Sequence, residues 1–199
     1  MAVTPEWRGR GLGRHMLGEA IAGARQRGER AMVLEVFERN APALALYRSL
    51  GFRPVRRLLG HRRQGGAGRS GPLAEMDPLS FARLVAAEGP PDLPWMLAAE
   101  TLSAAAPPTR AYRLGDLAFA LVSDPEQPRV ALRALLVPRT ERRRGHGTAM
   151  VEALTAAFPD RLWLVPAIVP EELAPGFLER LGFEQEELSQ LDMRLSLAP

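Results

Sequence analysis

Two side chains in the first quarter of the chain, Glu35 and Tyr47, are of types that can manage protons during an acyl transfer. An attacking amine must lose a proton and a departing thiolate must regain one, tasks that suit a carboxylate and a phenol held on adjacent elements. Glu35 lies in the apolar run Met32 to Phe37, which has strand composition. Tyr47 falls midway along a helix announced by Asn40 as N-cap and Pro42 in its first turn. The sequence contains no cysteine and all 26 basic residues are arginine. Covalent thiol, Schiff-base and Walker-lysine chemistry are thereby excluded, and any transfer must be direct.

A glycine-rich loop precedes these residues and recurs later. Val3-Thr-Pro-Glu-Trp-Arg-Gly-Arg-Gly-Leu-Gly13 is echoed by Val137-Pro-Arg-Thr-Glu-Arg-Arg-Arg-Gly-His-Gly147. Each copy leads into a helical apolar rhythm, through Leu12, Met16, Leu17, Ala20, Ile21 and Ala24 or through Met150, Val151, Leu154, Ala157 and Phe158. Each helix is followed by a short strand, Met32 to Phe37 or Leu162 to Val165, and each copy closes on Leu-Gly-Phe, at Gly51 and at Gly182. A loop between strand and helix leaves free amides at a helix N-terminus, the natural cradle for a pyrophosphate. A dinucleotide fingerprint is ruled out, because its third glycine would fall at Arg14 or Met16.

The 199 residues, 46% hydrophobic and 25% charged, describe a globular chain with room for one large or two small domains. No apolar run reaches membrane-spanning length and Met1 opens no signal segment, so the chain is expected to be cytoplasmic. A net charge of +3 gives nucleic acid little general attraction. The stretch from Gly60 to Gly71 has the composition of a linker or hairpin tip. Beyond it, helices are expected at Pro78 to Glu88 and Trp95 to Ala106, with Trp95 as a core anchor, and strands at Ala111 to Leu114, Leu117 to Ser123 and Arg129 to Val137. Helices, a strand meander and then strand, loop, helix and strand describe a mixed α/β fold. The scattered histidines His15, His61 and His146 read as solvated side chains, with no metal site.

Taken together, Arg8-x-x-Gly11-x-Gly13, the Leu34-Glu35-Val36 strand and the run Asn40, Ala45, Leu46, Tyr47, Gly51, Phe52 resemble the GNAT superfamily of N-acetyltransferases, and within it the bacterial ribosomal-protein N-terminal acetyltransferases. The resemblance covers residues 3 to about 57. It implies a mixed sheet with flanking helices and acetyl-coenzyme A as acyl donor. It also implies that Val3 lines the pantetheine arm, that Arg8, Gly9, Arg10, Gly11, Leu12 and Gly13 hold the pyrophosphate, and that Asn40 contacts coenzyme A. Tyr47 would be the general acid on sulfur and Glu35 the base, directly or through water. In the second copy Val137, Arg142, Arg143, Arg144, Gly145, His146 and Gly147 match the loop, but Leu178 stands where Tyr47 would, Glu171 where Asn40 would, and no carboxylate lies on Arg129 to Val137. That copy is expected to be architectural while still able to hold coenzyme A, a layout similar to tandem GNAT proteins such as the mycothiol synthases.

The division expected is a C-terminal half-domain at 1–72 and a nearly complete, degenerate GNAT domain at 73–199. The chain is read as part of a longer tandem enzyme, inactive or nearly so by itself. Its partners are acetyl-coenzyme A and an amine acceptor, with a homodimer left open and neither membrane nor nucleic acid among them. A non-catalytic module binding coenzyme A or a protein is the alternative. A nucleic-acid binder using the run Arg139 to Arg144 is a further one, marked by steep salt dependence.

Overall fold

The computed structural model describes residues 4–7, 9–66, 68–173 and 175–197. Helix α1 (Leu12–Gln26), strand β1 (Ala31–Phe37), helix α2 (Ala41–Ser49) and strand β2 (Arg53–Gln64) come first. They are followed by β3 (Leu73–Met76), α3 (Pro78–Glu88), α4 (Ala99–Ser103), β4 (Arg110–Leu114), β5 (Ala118–Val122) and β6 (Arg129–Leu136). The chain ends with α5 (His146–Ala157), β7 (Leu162–Pro170), α6 (Phe177–Arg180) and β8 (Glu184–Ser196). Short 3-10 turns at Pro5–Trp7 and Arg139–Glu141 precede the two loops, and a third spans Trp95–Leu97. The fold is mixed α/β, with strands flanked by helices. Among the described residues no helix is long and apolar enough to cross a membrane.

The sequence repeats divide the chain near residue 72, whereas compactness divides it at other points. Unit 1 is Met1–Leu58 together with Ser189–Pro199, and unit 2 is Leu59–Leu188. Strands β2 and β8 therefore each contribute residues to both units.

In unit 1 the strand order is β1-β8-β2. The end of the chain pairs antiparallel with β1, from Ala31↔Ser196 to Phe37↔Gln190. Alternation along β1 sends Met32, Leu34 and Val36 to one face, where they meet Ile21 and Ala24 of α1 and Leu44 of α2. Met193, fully buried, and Leu195 bring β8 into the same core. Helix α2 starts as expected, the Asn40 side chain accepting from the Ala43 amide at 3.3 Å. It ends with Gly51 at φ 95°, the Phe52 amide donating back to the Tyr47 carbonyl at 3.1 Å.

In unit 2 the order runs β8-β2-β7-β6-β5-β4-β3, antiparallel from β3 to β6 and parallel between β6 and β7. Strand β5 is buried throughout. Ala118, Ala120 and Val122 face a core with Met150, Val151 and Leu154 of α5, while Phe119 and Leu121 face Phe81 and Val85 of α3.

Several expectations change. The segment read as a linker is strand as far as Gln64, and its glycines serve close approach: a Cβ on Gly60 would lie 3.3 Å from the Ala167 nitrogen, and one on Gly65 would lie 2.7 Å from the Arg161 oxygen. The helix expected at Trp95 to Ala106 is a 3-10 turn and the short α4, and Trp95 is 46% exposed where a core anchor was expected. Strand β7 runs on to Pro170, and β8 carried no sequence signal of its own.

Candidate functional site

The repeated loops fold alike. Gly11 has φ 79° and ψ −5°, and Gly145 φ 87° and ψ −2°; each is the N-cap of its helix and neither helix has a side-chain cap. The first capping bonds match, from the His15 amide to the Gly11 carbonyl at 3.0 Å and from the Ala149 amide to the Gly145 carbonyl at 2.9 Å. Two residues earlier, Gly9 has φ 74° and Arg143, its counterpart, φ 61°. A non-glycine residue held left-handed costs about 1 kcal/mol, so the surrounding structure imposes this loop shape. Helices α2 and α3 differ, because Asn40 and Asp77 cap their first turns with side chains. At α1 and α5 the first amides are left for something else to bind. In the first loop Gly9, Arg10, Gly11 and Leu12 are exposed and Gly13 is half-buried; Val3 and Arg8 lie outside the described residues.

The arginine run of the second loop is largely committed within the protein. Arg139 donates from its backbone amide to the Glu88 carboxylate and from its guanidinium to the Glu88 and Gly89 carbonyls, at 2.9 to 3.1 Å. Arg142 donates to the Glu88 carbonyl at 2.6 Å and to Val137 at 3.0 Å. The Glu88 and Gly89 carbonyls close α3, where cations are favoured by the helix dipole. Arg144 and His146 both approach Glu141, at 3.2 and 3.5 Å.

Behind the second loop lies a cavity of about 810 Å³ within unit 2. It exists because the parallel ladder of β6 and β7 runs only from Arg129↔Leu162 to Ala131↔Leu164, while both strands continue past it. Leu132 to Val137 and Val165 line the opened gap, Gly145 and Gly147 its loop end, and Phe177 and Leu178 of α6 its far side. Gly147 has little spare room, since a Cβ there would meet the Phe177 ring at 3.2 Å. Leu178, at the place corresponding to Tyr47, is buried among Val165, Met150 and Phe183. Glu171, at the place of Asn40, also lines the cavity.

In unit 1, Tyr47 is half-buried on α2, packed against the core and edge-on to Phe52 at 6.0 Å between ring centroids. The same core takes Leu34 and Val36, so alternation sets Glu35 on the other face of β1 from the one Tyr47 packs against. Helices α1 and α2 are tied by Arg14, whose Nη2 donates to the Ser49 hydroxyl at 2.6 Å. Asn40, exposed, spends its side chain on the cap.

Sequence reasoning missed two pairs. Asp192 stands directly across the ladder from Glu35 and lies 3.1 Å from the Arg56 Nε in buried surroundings. His61, read as solvated, is 4% exposed, and its Nε2 lies 3.2 Å from Glu179 Oε1. No local pattern could have found these pairs, whose members stand far apart in sequence. His15 is exposed, as expected. Among the described residues no three histidine or carboxylate side chains gather as a metal site.

Residues 1–52 match the family model described as "Acetyltransferase (GNAT) family". The [ribosomal protein bS18]-alanine N-acetyltransferase of Escherichia coli strain K12 is 46% identical over 52 residues, 26% of this chain and 35% of that protein. The chain spans 14% to 35% of the length of the curated relatives it matches. Among solved structures, a GCN5-related N-acetyltransferase from Sphaerobacter thermophilus aligns with a TM-score of 0.63 at 16% identity, over 99% of this chain and 71% of that one. A tandem GNAT protein from the clavulanic acid biosynthesis pathway aligns at 0.62 and 18% identity, over 100% and 74%. Residues 1–52 are thus similar to the GNAT family of acetyltransferases, and the chain shares the fold of these solved structures.

Proposed function

We propose that the protein transfers an acetyl group from acetyl-coenzyme A to a primary amine, with the pyrophosphate held at the N-termini of α1 and α5. The observation that carries this reading is the shared loop shape. Helices α1, α5 and the four-residue α6 have left-handed glycine N-caps and no side-chain cap, whereas α2 and α3 are capped in the ordinary way; α1 and α5 also share a second left-handed residue two positions before the cap, Gly9 and Arg143. In unit 1 the loop residues 8–13 and Val3 serve the cofactor, Tyr47 is the acid for the departing thiolate and Glu35 the base. In unit 2 the loop Arg142 to Gly147 and Val137 serve the cofactor in the cavity between β6 and β7. A primary amine as acceptor is supported by the name of the relative that acetylates an alanine of a ribosomal protein. The reading of residues 1–72 as a half-domain and 73–199 as a second, degenerate domain belongs to the same proposal.

A second reading, a module that holds coenzyme A without catalysis, is favoured by Leu178 standing where a phenol would be needed. Both readings require binding. Calorimetric titration with acetyl-coenzyme A is therefore expected to give saturable heat, and Gly145→Val to weaken binding about tenfold. At φ 87° a β-branched residue costs at least about 1 to 2 kcal/mol, which the loop meets by abandoning the shape that aims its amides. Absence of heat at millimolar ligand, or undiminished affinity in Gly145→Val, refutes the cofactor site in unit 2.

A further inference from the structure

The sequence leaves unit 2 without a base, since β6 carries no carboxylate and Leu178 replaces the phenol. The fold supplies a titratable group from elsewhere. The part of β2 that belongs to unit 2 places Leu59 and His61 on one face, and both line the cavity behind the second loop. His61 is 4% exposed; its Nε2 meets Glu179 Oε1 at 3.2 Å, and its Nδ1 is buried with no hydrogen-bond partner.

Glu179 sits on α6, one residue past Leu178. Its own backbone amide and then the His61 ring hold its carboxyl below the usual carboxylate range. An ionised carboxylate only accepts, so Nε2 is the ring's donor to it, and in a neutral ring Nδ1 is then a buried acceptor without a partner, on a residue that lines the cavity. A buried acceptor without a partner calls for a donor. The other charged groups lining the cavity are Arg133, Arg142, Arg143, His146, Glu171 and Arg180.

We propose that unit 2 is a second transfer site in which His61 is the acid–base residue and Glu179 its positioning residue. This rests on unit 2 holding acetyl-coenzyme A as read above. The amine nitrogen forms a bond to the thioester carbonyl carbon and gives its proton to His61 Nδ1. The carbon–sulfur bond breaks, and the imidazolium returns that proton to the departing thiolate, so that amide and free coenzyme A are the products. Glu179 balances the charge of the imidazolium and fixes its tautomer.

The test uses the full chain carrying Tyr47→Phe, so that the phenol of unit 1 takes no part. Acetyl-coenzyme A is supplied with glycinamide as the amine probe, and released thiol is read with a thiol reagent, which the cysteine-free protein leaves unreacted. Release above the buffer rate is expected. Adding His61→Gln should lower it on the order of a hundredfold while calorimetric affinity for acetyl-coenzyme A holds. Ring ¹⁵N spectra should show the proton on Nε2 of His61 and a mixed tautomer in Glu179→Gln, which also turns over more slowly at saturating acetyl-coenzyme A. Should His61→Gln melt early, Glu179→Gln decides by itself, because its partly exposed carboxylate can be neutralised without repacking. Binding without release above the buffer rate, or full release in the folded His61→Gln chain, overturns the second site. An Nδ1-protonated ring overturns it too. Absence of binding heat overturns the cofactor reading itself, which separates the two failures.

Discussion

Deleting Ser189 to Pro199 should unfold unit 1. Residues 189–196 of this segment lie between β1 and β2, and their register covers the whole of β1, from Ala31 to Phe37. It also brings Met193, Leu195 and Leu197 into the core formed with Ile21, Ala24, Val36, Leu44 and Phe52. Truncating one buried methionine to alanine costs about 2 to 5 kcal/mol, and the deletion removes three apolar side chains and a ladder together. What is left of unit 1 is too small to make good that loss. In amide exchange, protection of α1 and α2 should vanish while α5 keeps its own. Native protection of Ile21 and Leu44 in the shortened chain would show that unit 1 does not depend on β8.

At unit 1, Tyr47→Phe is expected to lower turnover on the order of a hundredfold and to leave affinity for acetyl-coenzyme A within about threefold. The measurement uses the full chain, with His61→Gln keeping unit 2 silent. The ring is what packs: Tyr47 touches the core of unit 1 and lies edge-on to Phe52, contacts that phenylalanine preserves. Only the hydroxyl is lost, and with it the proton for the leaving sulfur. Leu178→Ala is the structural counterpart in unit 2. It should cost about 2 kcal/mol or more in stability through a cavity among Met150, Val165 and Phe183, read as a lowered denaturation midpoint. Full turnover in Tyr47→Phe would remove the phenol from the mechanism.

The sequence by itself determined the pieces governed by short-range physics. The loops at Gly9 to Gly13 and Arg143 to Gly147 were legible because left-handed backbone and free helix amides depend on a few adjacent residues. The α2 cap at Asn40, the Gly51 and Gly182 turns and the strand at β1 were legible for the same reason. Tertiary structure decided what crosses the chain. The tract from Gly60 looked like a linker because its glycines and arginines lack strand alternation; in the fold Gly60 lets β2 approach β7, and His61 beside it is buried. Strand β8 had no local signature because its two ends answer to different partners, and only pairing along β1 shows why residues 189–197 belong with the first 58. The pairs Glu35 with Asp192 and His61 with Glu179 join residues more than a hundred positions apart. Such juxtapositions depend on strand order and register, which the pattern of a single segment does not encode.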